Sequence, residues 1–175
     1  VDPQRLRASL DRGGGRAAPV VVRPVTRPGA GSGGPELEAL RLAVHRPEDV
    51  APRLEGVLFA DEVNLAAFEA LCDAETLADA IAIAPPEAAE VIQRLAVEDV
   101  LDVDASDVVL RLVDLAARRA RDDLIAEGKA GDWSAYAPTI TWLSGAIDAL
   151  NEPQAGTDTM DQLVAWLVQL RQERA

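Results

Sequence analysis

The sequence predicts an all-α protein, a bundle of about six helices followed by a C-terminal two-helix hairpin. Three observations lead there. Hydrophobic residues make up 49% of the chain but aromatics only 3%, so the core must be built largely from Ala, Leu, Ile and Val, a composition suited to closely packed helices. The period-two alternation of strands is missing apart from Val20–Val22. From Leu37 onward, apolar residues recur three and four apart and the runs are punctuated by Pro or Gly.

Taken in order, Val1 to Asp11 has the form of a short helix, with Asp2 as N-cap, Pro3 at the first helical position and Leu6 and Leu10 on one side. Residues 12–35 hold Gly13–Gly15, prolines 19, 24, 28 and 35 and the run Gly29–Gly34, a composition that forms no core and predicts a flexible linker. Leu37, Leu40 and Val44 then give an amphipathic stripe stopped before Pro47, and Pro47–Leu54 a short second helix with Val50 and Leu54 inward. A third helix runs from Asp61 to about Cys72, with Leu65, Phe68 and Leu71 on its face; a fourth, Thr76–Ile83, pairs Leu77 with Ile81. Pro85-Pro86 opens a fifth with face Ala88, Val91, Ile92 and Leu95.

The sixth helix is the longest: Asp104 or Ser106 caps it, Val108, Val109, Leu112, Leu115 and Ala116 form its stripe, and it is expected to end after Arg118, Arg119 and Arg121, near Gly128. Tyr136, Ile140, Leu143, Ile147 and Leu150 then make a seam with alternating spacings of four and three, answered after a Pro153/Gly156 turn by Met160, Leu163, Val164, Leu167 and Leu170. Those seams are expected to bury against each other. The organisation predicted is therefore 1–11, the end of a preceding region; 12–35, a linker; 36–128, the bundle; and 129–175, the hairpin.

Charge and rare residues narrow the function. The chain carries −13 overall, but residues 1–35 hold six arginines against two acids, and residues 36–175 hold 28 acids against 11 bases, or −17. So acidic a domain repels phosphate backbones, and direct nucleic-acid binding by residues 36–175 is not expected; a basic protein surface suits it better. One cysteine, Cys72, and one histidine, His45, are too few for a disulfide framework or a Cys/His zinc site. His45, at a helix end, is expected as a capping cation, and Cys72, spaced with Leu65, Phe68 and Leu71, as a buried small hydrophobe. The acidic pairs Glu98-Asp99 and Asp122-Asp123 diverge by about 100° on a helix, cannot share a site and are expected on solvated faces. The glycine runs lack the Gly-Lys-Ser/Thr of a phosphate loop. No apolar run approaches membrane length and no signal peptide opens the sequence, so a cytoplasmic protein is expected. Its start at Val1-Asp2-Pro3, without Met, predicts a piece of something longer.

Several strings carry a resemblance. Glu38–Pro47 (EALRLAVHRP), Phe59-Ala60-Asp61 with Ala67–Leu71 (AFEAL), and Arg94–Glu98 (RLAVE), in that order, resemble the C-terminal region of bacterial DNA primase, especially its actinobacterial form. Val1–Leu10 resembles the last helix of the primase catalytic core. The resemblance covers most of residues 36–127 and, loosely, the final helices; it departs at Glu127–Trp133, expected as an interruption, and in the short stretch between Leu71 and Pro85. It implies a non-catalytic module without cofactors of its own, zinc and magnesium belonging to the rest of a primase, a nucleotidyltransferase that makes RNA primers. Its implied partners are the N-terminal domains of the hexameric replicative helicase.

Three other readings compete. A helicase N-terminal domain has a related fold, but the Arg/Gly/Pro segment before residue 36 argues against it. A carboxylate-bridged metal enzyme needs paired Glu-x-x-His motifs, which one histidine cannot supply. A helical adaptor of another kind is the third.

The residues expected to meet a partner lie in the last two helices. Trp142 sits about 120° from the centre of its stripe and Trp166 about 90° from its own, outside both seams, which suits either interface anchors or side chains that pack back onto the six-helix bundle. Arg171 and Arg174, in the last turn, are expected either as partners of the helix dipole or as contacts to acidic groups on the other protein.

Overall fold

A computed structural model describes residues 34–99, 102–152 and 157–174; the expected helix at Val1–Asp11 and the linker up to residue 33 lie outside them. Every regular element among the described residues is helical. In chain order these are α1 (Pro35–His45), α2 (Pro47–Val50), a 3-10 turn at Gly56–Leu58, α3 (Glu62–Asp73), α4 (Leu77–Ile83), α5 (Pro86–Val97), α6 (Ala105–Ala130), α7 (Trp133–Leu150) and α8 (Thr157–Arg174). Local chemistry sets the starts. Proline opens α1, α2 and α5, where its missing N–H costs nothing. Elsewhere a side chain takes up an orphan backbone N–H: Asp61 accepts from Val63 and Asn64, Thr76 from Asp79, Asp104 from Ser106 and Asp132 from Ser134.

Helix α1 lies at the centre of the first half, with Ala39, Leu40 and Leu42 buried and with α2, α3, α5 and α6 around it. Polar contacts fix that packing. Glu36 accepts from Ala60 N (2.7 Å) and from the Asn64 amide (2.9 Å); the buried Glu38 pairs with Arg111 of α6 at 2.9 Å; Arg41 pairs with Glu98. His45 and Arg46 hold the α5–α6 connection, through the Leu95 carbonyl at 2.9 Å and the Val103 carbonyl at 2.9 Å.

Helix α6 joins the two halves. Its 26 residues span about 39 Å, and its buried stripe runs through Val109, Leu112, Val113, Ala116, Ala117, Ala120 and Leu124. Helix α7 returns antiparallel along it: Trp133 lies against Gly128, and the Asn151 amide reaches Asp114 at 3.4 Å. Helix α8 reverses again and brings Arg174 to Glu127 at 2.7 Å.

Several expectations are corrected. The two C-terminal seams do not chiefly face each other: Leu143, Ile147 and Leu150 of α7 and Leu163 and Leu167 of α8 are buried, but α7 packs far more extensively on α6 than on α8, and α8 also packs on α6 and the 3-10 turn. A four-three spacing specifies an apolar stripe and leaves its partner open. Gly128 does not end α6, because a helical glycine is tolerated where it admits a neighbour; the helix runs on to Ala130, and Glu127–Trp133 is a tight corner between two helices. Arg118, Arg119 and Arg121 therefore lie within α6, Arg118 pairing with Asp114 at 2.7 Å and Arg119 donating to the Leu58 carbonyl. In α3 and α4 the buried residues are Ala67, Ala70 and Ala80, with Leu77 left exposed, since alanine permits the closest approach. Leu115 is likewise exposed. Cys72 is exposed. Of the two acidic pairs, Asp99, Asp122 and Asp123 are exposed as expected, while Glu98 is only partly so, its carboxylate shared by Arg41 and Arg94. His45 bonds a helix-end carbonyl of α5, where a cap of its own helix was expected.

Candidate functional site

The two candidate tryptophans, 24 residues apart in sequence, meet on the outer side of α7 and α8. Burying Leu143 and Ile147 against α6 turns Trp142, one position before Leu143, outward, and it remains 41% exposed. Leu163 and Leu167 do the same for Trp166, which is half-buried and touches the core with one side of its ring. The ring centroids are 5.5 Å apart and the planes are inclined by 58°, within the range where tilted aromatic pairs attract. With Pro138 and Thr139 they line an open hollow of about 330 Å³. Of the two tryptophans, Trp166 packs against the core and Trp142 is left largely in solvent.

The candidate arginines lie elsewhere. Arg174 is held by Glu127 of α6, and the Arg171 guanidinium lies over Gly56, where a Cβ would stand 3.2 Å from Nη1. Both line a cleft between α6, α8 and the 3-10 turn that also holds Val57, Arg119, Asp123 and Leu170. The structure thus brings Trp142 and Trp166 together and sets Arg171 and Arg174 apart from them, in contact with the protein's own residues.

Pro138 and Thr139 were not singled out from the sequence, although they precede Trp142 by four and three positions and so share its face. Trp133, nearly half exposed over Gly128, was also missed; its signal was the capping pattern Asp132-Trp133-Ser134, which places it in the first turn of a new helix.

Among the described residues no group of three or more His, Cys, Asp or Glu is placed to hold a metal ion, and no described helix is long and apolar enough to cross a membrane. Compared with known proteins, the chain matches no protein-family model, no curated protein and no solved structure.

Proposed function

We propose that this chain is the helicase-docking C-terminal module of a bacterial DNA primase, and that it makes no bond itself but holds primer synthesis at the replicative helicase. The observation that carries the reading is the Trp142–Trp166 pair. Two large aromatics tilted against each other, Trp142 largely exposed and Trp166 half-buried with one edge on the core, keep an amphipathic surface in water. Such surfaces are where binding energy concentrates when a partner covers them. The resemblance of residues 36–127 to the primase C-terminal region supplies the partner, the helicase N-terminal domains, and the −17 charge of residues 36–175 suits a basic docking face there.

The test is binding of the full chain and of Trp142→Ala and Trp166→Ala variants to a replicative helicase hexamer, measured beside thermal unfolding. Each variant is expected to lose about 2 kcal/mol of binding, roughly thirtyfold in affinity; Trp142→Ala should leave the melting temperature nearly unchanged, whereas Trp166→Ala, which also removes core packing, should lower it somewhat. Unchanged binding, or no binding by the parent chain, would overturn the reading.

A further inference from the structure

A second hollow lies at the C-terminal end of α1, far in sequence from the tryptophans. Ala43, Val50, Ala51, Phe68, Leu71 and Cys72, from α1, α2 and α3, line a largely apolar cavity of about 340 Å³. That size is at the lower limit of ligand pockets and suits one bulky side chain. Phe68 is braced from behind by Phe59, with ring centroids 5.0 Å apart, so this wall is preformed. The rim is acidic. Glu69 and Asp73 flank Cys72 on α3 and Glu55 approaches from the connector after α2; all three are exposed. Arg46 and Arg53 are the cations nearest the rim in sequence, and Arg46 pairs with Asp49. The three carboxylates lie close enough to act on Cys72, whose thiol is pushed up by burial first and then by Asp73, Glu55 and Glu69.

We propose that this cavity is a docking site for a cationic amphipathic helix of a partner protein, one bulky apolar side chain seated among Ala51, Phe68 and Leu71 and its flanking arginines or lysines set against Glu55, Glu69 and Asp73. Charge complementarity selects the occupant: an apolar hollow with an acidic rim admits a helix of the opposite sign and repels an acidic one. The site includes neither Trp142 nor Trp166, and its test needs no helicase.

The full chain, with methyl groups labelled for NMR, tests it against three amidated peptides of equal length. One has leucines on one helical face and arginines on the other, the second has serine in place of each leucine, and the third has glutamate in place of each arginine. The Leu/Arg peptide is expected to shift the methyl signals of Val50, Ala51 and Leu71. The Leu/Ser exchange should weaken binding roughly tenfold or more, the factor that burial of one leucine-sized side chain supplies. Ala51→Trp, at an exposed position on the mouth, should block the site while the rest of the spectrum stays native; Glu69→Gln with Asp73→Asn should weaken binding several-fold. Equal binding of the Ser peptide would show mere attraction of a polycation to an acidic protein and overturn the proposal. Equal binding of the Glu peptide, shifts centred elsewhere, or an undiminished response in Ala51→Trp would overturn it too.

Discussion

Glu38 is the most buried carboxylate among the described residues, 6% exposed on α1, and Arg111 at 2.9 Å is what makes its charge tolerable there. Arg111 itself is half in water, so the pair adds little net stability; its loss is another matter, because it strands a charge between α1 and α6. Arg111→Ala is therefore expected to destabilise the chain by about 1–3 kcal/mol in urea unfolding. Glu38→Met with Arg111→Met should restore most of that, since no buried charge remains. Cys72 gives a pH prediction. Its raised pKa leaves less thiolate at a given pH than an ordinary cysteine has, so alkylation at pH 8 should be slow and its rate should rise at higher pH than for a free thiol. Neutralising Glu55, Glu69 and Asp73 should move that rise only part of the way back, because burial is the larger cause. An ordinary rate profile would contradict the placement of those carboxylates. The sequence put Cys72 on the apolar stripe of α3, and it does line an apolar wall; what spacing alone does not disclose is that this wall faces a cavity open to water.

At the scale of the element, the corner between α6 and α7 sets how closely α7 folds back. A Cβ on Gly128 would come within 2.9 Å of the Trp133 ring, closer than side chains pack, with Tyr136 Cβ at 3.6 Å behind it. Gly128→Val is expected to cost about 1–3 kcal/mol by overpacking. Gly128→Ala should cost less, because about 1 kcal/mol of helix propensity offsets the strain, and both should change the fluorescence of Trp133. The other side of the corner is the Asp132 cap, whose carboxylate is held below the usual range by the Ser134 hydroxyl and then by its backbone N–H. A lowered folded pKa contributes stability that is present above the ordinary aspartate value and lost as pH falls through the lowered one. NMR should thus find Asp132 titrating below the solvent-exposed aspartates, and helix content at α7 should loosen only in that acid range. These ends were legible because prolines, aspartates and threonines at helix starts act locally. The partner of each stripe was not, as α7 shows: Leu143, Ile147 and Leu150 specify a buried face, and only the course of α6 decides what covers it. Trp142 and Trp166 were legible as residues outside their stripes, but their contact with each other depends on the register of two helices joined by a turn, which neither stripe encodes.

For the molecule as a whole, α6 makes one cooperative body of the bundle and the helix pair. It supplies core to both, so they are expected to melt in a single calorimetric transition, and Leu112→Ala or Leu124→Ala should lower that one transition without splitting it. The distribution of charge is equally global. Arg41, Arg46, Arg94, Arg111, Arg118, Arg119, Arg121 and Arg174 all form ion pairs with carboxylates of this chain. With 11 bases against 28 acids in residues 36–175, most cations are thereby occupied internally, and the charge left facing outward is overwhelmingly negative. Such a field acts before contact: it steers a basic surface into encounter over about 10 Å at 0.1 M salt and hardly bears on the dry contacts formed afterwards. The proposed binding to the helicase should therefore divide by rate constant. Between about 0.05 and 0.5 M salt, association is expected to slow by about tenfold, while dissociation, governed by the Trp142 and Trp166 rings that the proposed partner would cover, stays nearly constant. Trp142→Ala should give the reverse pattern, with faster dissociation and an unaltered salt slope of association. Stopped-flow measurement of both rates separates the two contributions. An association rate indifferent to salt would leave the acidity to solubility alone, and a dissociation rate indifferent to the tryptophan would remove the anchor.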